Sequence, residues 1–311
     1  MTIDQGRILV TGGTGMVALA LKEYIPDAIY VGSSDYNLID KNEAQDLFRE
    51  TQPTHVIHLA ARVGGVKGNT DYIAEFYHDN IMINTNVLEA ARIHKTQKLV
   101  SLLSTCVYPA KVTYPLTEDQ FHNGDPHYSN FGYAYAKRMI DIQSRAYRQQ
   151  YGCNFITAIP NNLFGENDNF HLLDSHVMPA IIRKMYEAKL NGEHVVLWGD
   201  GTPLREFTYS KDIARALLLL LEGYNDPMPI NIGNTQEISI RELASSIATQ
   251  IGYQGEIKWD TSMPAGQYRK PSDNSRFLGQ FDMQYTNTDI ALRNTCKWFI
   301  MNYPNVRGVD G

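Results

Sequence analysis

The sequence predicts a doubly wound α/β fold, a parallel sheet flanked by helices with a smaller C-terminal lobe over its crevice. Three observations predict it. Short apolar runs rich in β-branched residues alternate with stretches of helical periodicity through the first half of the chain. A Gly12-x-x-Gly15 turn follows the first of those runs. Beyond Pro160 the alternation becomes less regular.

The elements follow in order. Arg7–Thr11 is a short buried strand, Gly12–Gly15 a tight turn and Met16–Tyr24 a helix. Ala28–Val31 is the second strand, Lys41–Gln52 a helix and His55–Ala60 the third strand. The long helical stretch Glu75–His94 precedes a fourth strand, Lys98–Leu103. Tyr133–Tyr151 is helical and Phe155–Ile159 is another strand. Parallel crossovers are right-handed, so this alternation brings the strand ends to one crevice, as in a Rossmann-like domain. A loop rich in Asn, Asp and His then runs to Ser175. A helix from His176 to about Leu190, a strand at His194–Trp198 and a helix at Ser210–Leu221 follow. Ile238–Ile251 is a further helix, with Ser239 and Glu242 in the spacing of a capping box. Pro264–Asp273 reads as a basic loop. The expected division is a dinucleotide-binding domain over 1–165, with 206–232 returning to it, and a substrate-binding lobe made mainly of 166–205 and 233–311.

The 311 residues carry a formal charge of −6, which argues against nucleic acid or an anionic membrane as the main partner. No apolar run is long enough to span a bilayer, and no signal-peptide pattern opens the chain. The three dispersed cysteines, Cys106, Cys153 and Cys296, suggest free thiols in a reducing compartment, so a cytoplasmic protein is expected. No metal-ligand cluster is expected.

Four groups of residues could carry chemistry. Gly12, Gly13, Thr14 and Gly15 lie between a strand and a helix, where backbone N–H groups hold a pyrophosphate. After the second strand, Val31-Gly32-Ser33-Ser34-Asp35 offers small neutral positions that suit a 2′-phosphate. No arginine stands there and Asp35 is close, so these residues lean to NADP without excluding NAD. Ser104 and Cys106 close the fourth strand, where the first can hydrogen-bond a carbonyl oxygen and the second can act as acid or base. Tyr133 and Lys137 stand four apart, on one helix face, where an ammonium would lower a phenol's pKa. The Tyr-x-x-x-Lys spacing alone is common in helices and carries little. Tyr135 lies off the lysine's face and reads as packing.

The joint pattern is specific. Ser104-Thr105-Cys106-Val107-Tyr108-Pro109 with Tyr133 and Lys137 resembles the extended short-chain dehydrogenase/reductases, and within them the GDP-L-fucose synthase family. Further matches are His58–Gly65, Asn162–Gly165 leading to Asp168–His171, Ser175–Ala180, Trp198–Phe207, and Arg269-Lys270 with Asp273. The similarity covers nearly the whole chain. It implies a bifunctional enzyme on GDP-4-keto-6-deoxy-D-mannose, epimerising C3 and C5 and then reducing C4 with NADPH.

The resemblance also implies a site. NADP(H) would be held by Gly12–Val17, Ser33, Ser34, Leu59, Ala60, Ala61, Leu102, Leu103, Lys137, Pro160, Asn161, Asn162, Leu163 and His176. In the family the histidine at His176 partners the cysteine at Cys106, and the helix dipole is expected to lower its pKa. Ser104 and Tyr133 would steady the enolate oxygen and Tyr133 would protonate O4. Asn162, Lys184, Trp198, Arg205, Lys270 and Asp273 would bind the substrate, with Lys184, Arg205, Arg269 and Lys270 converging on its diphosphate. A homodimer is expected through the helices Glu75–His94 and Tyr133–Tyr151. Two alternatives stand beside this reading: an epimerase-only or reductase-only enzyme on a related GDP-4-keto-6-deoxy sugar such as a heptose, and a non-catalytic NADP-binding regulator.

Overall fold

The computed structural model describes residues 3–64, 66–172, 174–263 and 268–309. In chain order the elements are β1 (Ile8–Thr11), α1 (Met16–Lys22), β2 (Ile29–Val31), α2 (Lys41–Thr51), β3 (His55–His58), α3 (Val66–Asp71), α4 (Ile73–Ile93), β4 (Lys98–Leu102), α5 (Phe131–Tyr151), β5 (Phe155–Ile159) and β6 (Asn162–Phe164). They continue as α6 (Val177–Asn191), β7 (Val195–Trp198), β8 (Leu204–Tyr209), α7 (Ser210–Gly223), β9 (Ile230–Asn231), β10 (Glu237–Ser239), α8 (Ile240–Ile251), β11 (Ile257–Asp260), α9 (Ser275–Leu278) and α10 (Thr288–Asn302).

The main sheet runs β2-β1-β3-β4-β5-β9, with every neighbouring pair parallel. From β1 the chain winds outward to β2 and then returns to the other side of β1 as β3, so the winding direction reverses between β1 and β3. Ligands of doubly wound sheets sit at this switch point, beyond the C-terminal strand ends. One face of the sheet buries Ile8, Val10, Ile57 and Val100 against Val17 and Leu21 of α1 and Ile213 and Leu217 of α7. The other buries Leu9, Val56 and Leu99 against Leu47 of α2, Val87 of α4 and Ile140 of α5. A strand covered on both sides is apolar along its whole length, which is why Ile8-Leu9-Val10 shows no alternation.

A second core joins α6, α8 and α10 to β7 and β8 through Met178, Ile182, Leu197, Phe207, Leu243, Ile247, Leu292 and Phe299. Two small sheets lie here, β10-β8-β6 and β11-β7. Sequence periodicity did not reveal β6, β8 or β11, because each draws its pairing from distant segments and β6 is only three residues long. The helix expected from Ile238 begins at Ile240 instead. Ser239 is its N-cap, in a complete capping box with Glu242, and Ile238 is extended and paired with Arg205. An N-cap residue has extended backbone, so a helix cannot start before it. Pro264 to Gln267 of the expected basic loop lie outside the described residues. No helix among the described residues is long and apolar enough to cross a membrane.

Candidate active site

The glycine turn follows β1 directly. Gly12 adopts φ +72°, and a Cβ there would lie 2.9 Å from the Ala60 nitrogen. A Cβ on Gly13 would lie 2.7 Å from the Val31 nitrogen. Both glycines are therefore demanded by the close approach of the β1, β2 and β3 ends. Gly15 caps α1 without a side-chain hydrogen bond, so the first N–H groups of that helix stay free for a ligand.

A cavity of about 590 Å³ opens above this turn. Gly12, Thr14, Gly15, Met16, Val17, Ser33, Leu59, Ala60 and Ala61 line one end, and Leu102, Leu103, Ser104, Tyr133, Lys137, Pro160–Leu163 and His176 the other. Two of the residues expected to touch the cofactor do not line it. Gly13 is packed against β2, and Ser34 lies outside the lining beside Ser33. The carboxylate of Asp35 accepts the Gly32 N–H at 2.7 Å, which turns this charge onto its own loop.

α5 presents Tyr133 and Lys137 to the cavity. Lys137 is 2% exposed and its Nζ donates to the Leu102 carbonyl at 3.0 Å, lying 6.0 Å from the centre of the Tyr133 ring. Burial pulls this ammonium down to about 8, opposed only by Cys106. Burial likewise pushes the Tyr133 phenol above its usual value, and Cys106 adds to the rise. The lowering of that phenol expected from Lys137 is not found: desolvation raises it instead. The phenol stands as a protonated acid.

Ser104 caps a short helical turn, Thr105–Val107, that aims the Cys106 segment, and its Oγ accepts the Cys106 N–H at 3.4 Å. Cys106 does not line the cavity itself. Burial pushes its thiol up, and Lys270, Ser104 and Lys137 pull it back. His176 is the N-cap of α6 and lines the cleft, its surface exposed along the cavity wall. The crowded cleft walls desolvate the ring and lower its pKa.

The model of the NAD dependent epimerase/dehydratase family matches residues 8–233. A GDP-L-fucose synthase of Dictyostelium discoideum is 42% identical, over 98% of this chain and 99% of that protein. A probable GDP-L-fucose synthase of Drosophila melanogaster is 39% identical, over 97% and 99%. The crystal structure of a GDP-L-fucose synthetase from Naegleria fowleri bound to NADP superposes with a TM-score of 0.93 at 38% identity, over 99% of this chain and 98% of that one. The chain belongs to the NAD-dependent epimerase/dehydratase family, among its GDP-L-fucose synthases.

As in that family's expected pattern, the residues present fit a dinucleotide: a turn that only glycine can build, uncapped helix N–H groups, a neutral Ser33 and a lysine at the far end. The substrate residues divide. Lys270 lies near Cys106 and Arg205, each acting on its charge, and neither cation has a carboxylate partner among the described residues. Arg269 does not join them, because Glu237 holds it in a bidentate pair. Lys184 donates to the Val196 carbonyl at 3.3 Å and sits 5.9 Å over the ring of Trp198, which is 53% exposed. Asp273 spends its carboxylate on the Ser275 N–H at 2.7 Å. Asn162 donates to the Glu206 carbonyl at 2.8 Å, and the Asn161 amide is consumed by Glu206, Asn234 and Thr208. Tyr135, read as packing, donates to Asp125 at 2.6 Å under the Arg138 guanidinium.

Sequence reasoning missed several lining residues. Arg62 reaches the cavity while paired to Asp79 at 2.6 Å. Asp168 is buried there with Oδ2 unpartnered among the described residues and its pKa raised by burial to about 7. Arg307 enters from the C-terminal tail. Asp168 stood inside a motif already noted; nothing in sequence pointed to Arg307.

Proposed function

We propose that the chain converts GDP-4-keto-6-deoxy-D-mannose to GDP-L-fucose with NADPH, epimerising C3 and C5 and then reducing C4. The observation that carries this reading is the meeting of Ser104, Tyr133, Lys137 and His176 on one cavity, with Cys106 within electrostatic reach of Tyr133 and Lys137.

The 4-keto group acidifies the hydrogens at C3 and C5. Cys106, as thiolate, takes a proton from one face, and His176 returns one from the other, inverting each carbon in turn. Burial holds the resting thiol above its ordinary value, and Lys270, Ser104 and Lys137 offset that only in part, so the thiolate forms as the proton is passed on and not as the resting state. Ser104 and Tyr133 donate hydrogen bonds to the oxygen as enolate character develops. When bound, NADPH supplies the hydride equivalent that reduction at C4 requires. Gly12–Val17 and Ser33 would hold its phosphates and ribose, and Lys137 would orient the far end. Tyr133, kept protonated by burial, delivers the proton to O4. Arg205 and Lys270, two cations with no carboxylate partner among the described residues, suit the substrate diphosphate. Arg205 and Lys270 stand outside the lining of the cavity, as Lys184, Trp198 and Asp273 do; Lys184, Asn162 and Asp273 are weaker candidates because their polar groups are engaged within the chain.

Incubation with NADPH and the 4-keto sugar in deuterated water, followed by NMR of the product, tests the whole sequence. Deuterium at C3 and C5 with NADPH consumption is expected. Reduction without exchange would leave a reductase only, and exchange without NADPH consumption an epimerase only. A homodimer is part of the same proposal: α4 and α5 pack together and leave Tyr77, Ile93 and Ile142 exposed. Light scattering after gel filtration measures it.

A further inference from the structure

Behind the Tyr133/Lys137 pair runs a buried polar chain that the reaction itself does not use. The Ala60 N–H lies 3.3 Å from Thr11 Oγ1, and Thr11 Oγ1 lies 2.8 Å from His58 Nδ1. His58 Nε2 lies 3.1 Å from Asn84 Oδ1, and Asn84 Nδ2 donates to the Ala136 carbonyl at 3.3 Å. Thr11, His58 and Asn84 are at most 1% exposed. One end of the chain touches the dinucleotide cradle, since Ala60 lines the cavity and Thr11 precedes Gly12. The other end grips α5 at the residue before Lys137, one turn beyond Tyr133.

The chemistry of the two ends decides the direction of the bonds between them. A carbonyl oxygen only accepts, so the Asn84 atom facing Ala136 is its nitrogen and the atom facing His58 is its oxygen. That oxygen also only accepts, so His58 Nε2 carries a hydrogen. Thr11 Oγ1 already accepts from Ala60, and among the described residues the acceptor beside its own hydrogen is His58 Nδ1. A second ring proton would face that hydroxyl hydrogen and leave it without a partner in a dry interior. Lys137, the charged group acting on the ring, opposes a positive imidazole as well.

We infer that His58 is a positioning residue, held as the neutral Nε2–H tautomer, and that the chain Thr11–His58–Asn84 keeps the cofactor cradle in register with the Tyr133/Lys137 helix. A neutral imidazole is required there because a charge would stand beside the ammonium on which the reaction depends. The kinetic part of this inference rests on the proposed reaction; the tautomer does not.

Ring ¹⁵N NMR of histidine-labelled protein, with His58 assigned by the signal lost in His58→Gln, tests the tautomer. A directly bonded hydrogen on Nε2 alone, unchanged from pH 6 to 9, is expected. An Nδ1–H tautomer, or titration in that range, overturns it. Thr11→Val removes the hydroxyl at nearly constant shape. It is expected to weaken NADPH binding and to lower kcat for reduction, each about tenfold, with KM for the sugar nucleotide unchanged, and Thr11→Ser is expected to restore both. Equal behaviour of the valine and serine variants overturns the positioning role. Should the proposed reaction fail, NADPH affinity still separates the two variants, and the NMR experiment needs only the unmodified chain.

Discussion

Replacing Lys137 by methionine is expected to make the protein more stable while destroying its reductase activity. The lysine is 2% exposed and its pKa falls from 10.5 to about 8, with burial as the leading cause. At about 1.4 kcal/mol per pKa unit, holding this ammonium in the interior costs the fold about 3 kcal/mol near neutral pH. Methionine removes that cost but leaves the Leu102 carbonyl without the bond it receives at 3.0 Å, a loss of about 1 kcal/mol. The net gain is about 2 kcal/mol, which for 311 residues corresponds to a rise in Tm of about 3 °C. The sign depends on pH. A lysine whose folded pKa is depressed burdens the fold fully below about 8. The burden fades as pH rises towards 10.5, where the unfolded lysine also gives up its proton. Urea unfolding of both proteins at pH 7 and at pH 10 measures the difference, which is expected to shrink at the higher pH. NADPH consumption is expected to fall about a hundredfold or more. A variant less stable than its parent at pH 7, by the same margin at pH 10, would refute the reasoning.

Three further outcomes follow from named contacts. Cys106→Ser is expected to abolish solvent deuterium incorporation at C3 and C5, and exchange at the parent rate would remove Cys106 as the base. Gly13→Ala puts a Cβ 2.7 Å from the Val31 nitrogen, which backbone cannot yield cheaply, so a loss of about 1–3 kcal/mol by urea unfolding and weaker NADPH titration are expected. Lys270→Ala is expected to raise KM for the sugar nucleotide about tenfold or more, by steady-state kinetics, as loss of one charge-assisted contact to phosphate; an unchanged KM would separate Lys270 from the diphosphate.

Legibility in sequence tracked how local each cause is. Gly12 to Gly15 are readable because strand, turn and helix are neighbours in the chain. α4 and α5 are readable because their apolar positions recur at helical spacing over 21 residues each. The inner face of α10, Ala291, Leu292, Thr295, Cys296 and Phe299, carries the same periodicity, although it stands in the half of the chain where the alternation of elements is irregular. β6 and β8 were not readable, because Asn162 pairs with Phe207 across some forty-five residues and neither segment alternates on its own. The site divides likewise. Tyr133 and Lys137 share a face by helix geometry alone. The separation of Arg269 from Arg205 and Lys270 comes from Glu237, a partner that no local spacing announces.

By itself, then, the sequence determined the winding of the sheet, the place of the glycine cradle and which side chains could carry proton transfer. These depend on short-range periodicity and on residue chemistry. Only the tertiary structure decided the states of those side chains. Burial makes Tyr133 a more tightly held acid rather than an activated phenol and brings Lys137 to about 8, and the cleft walls around His176 lower its pKa. Desolvation depends on what the whole fold packs around a group, and that information lies in segments far from it in the chain.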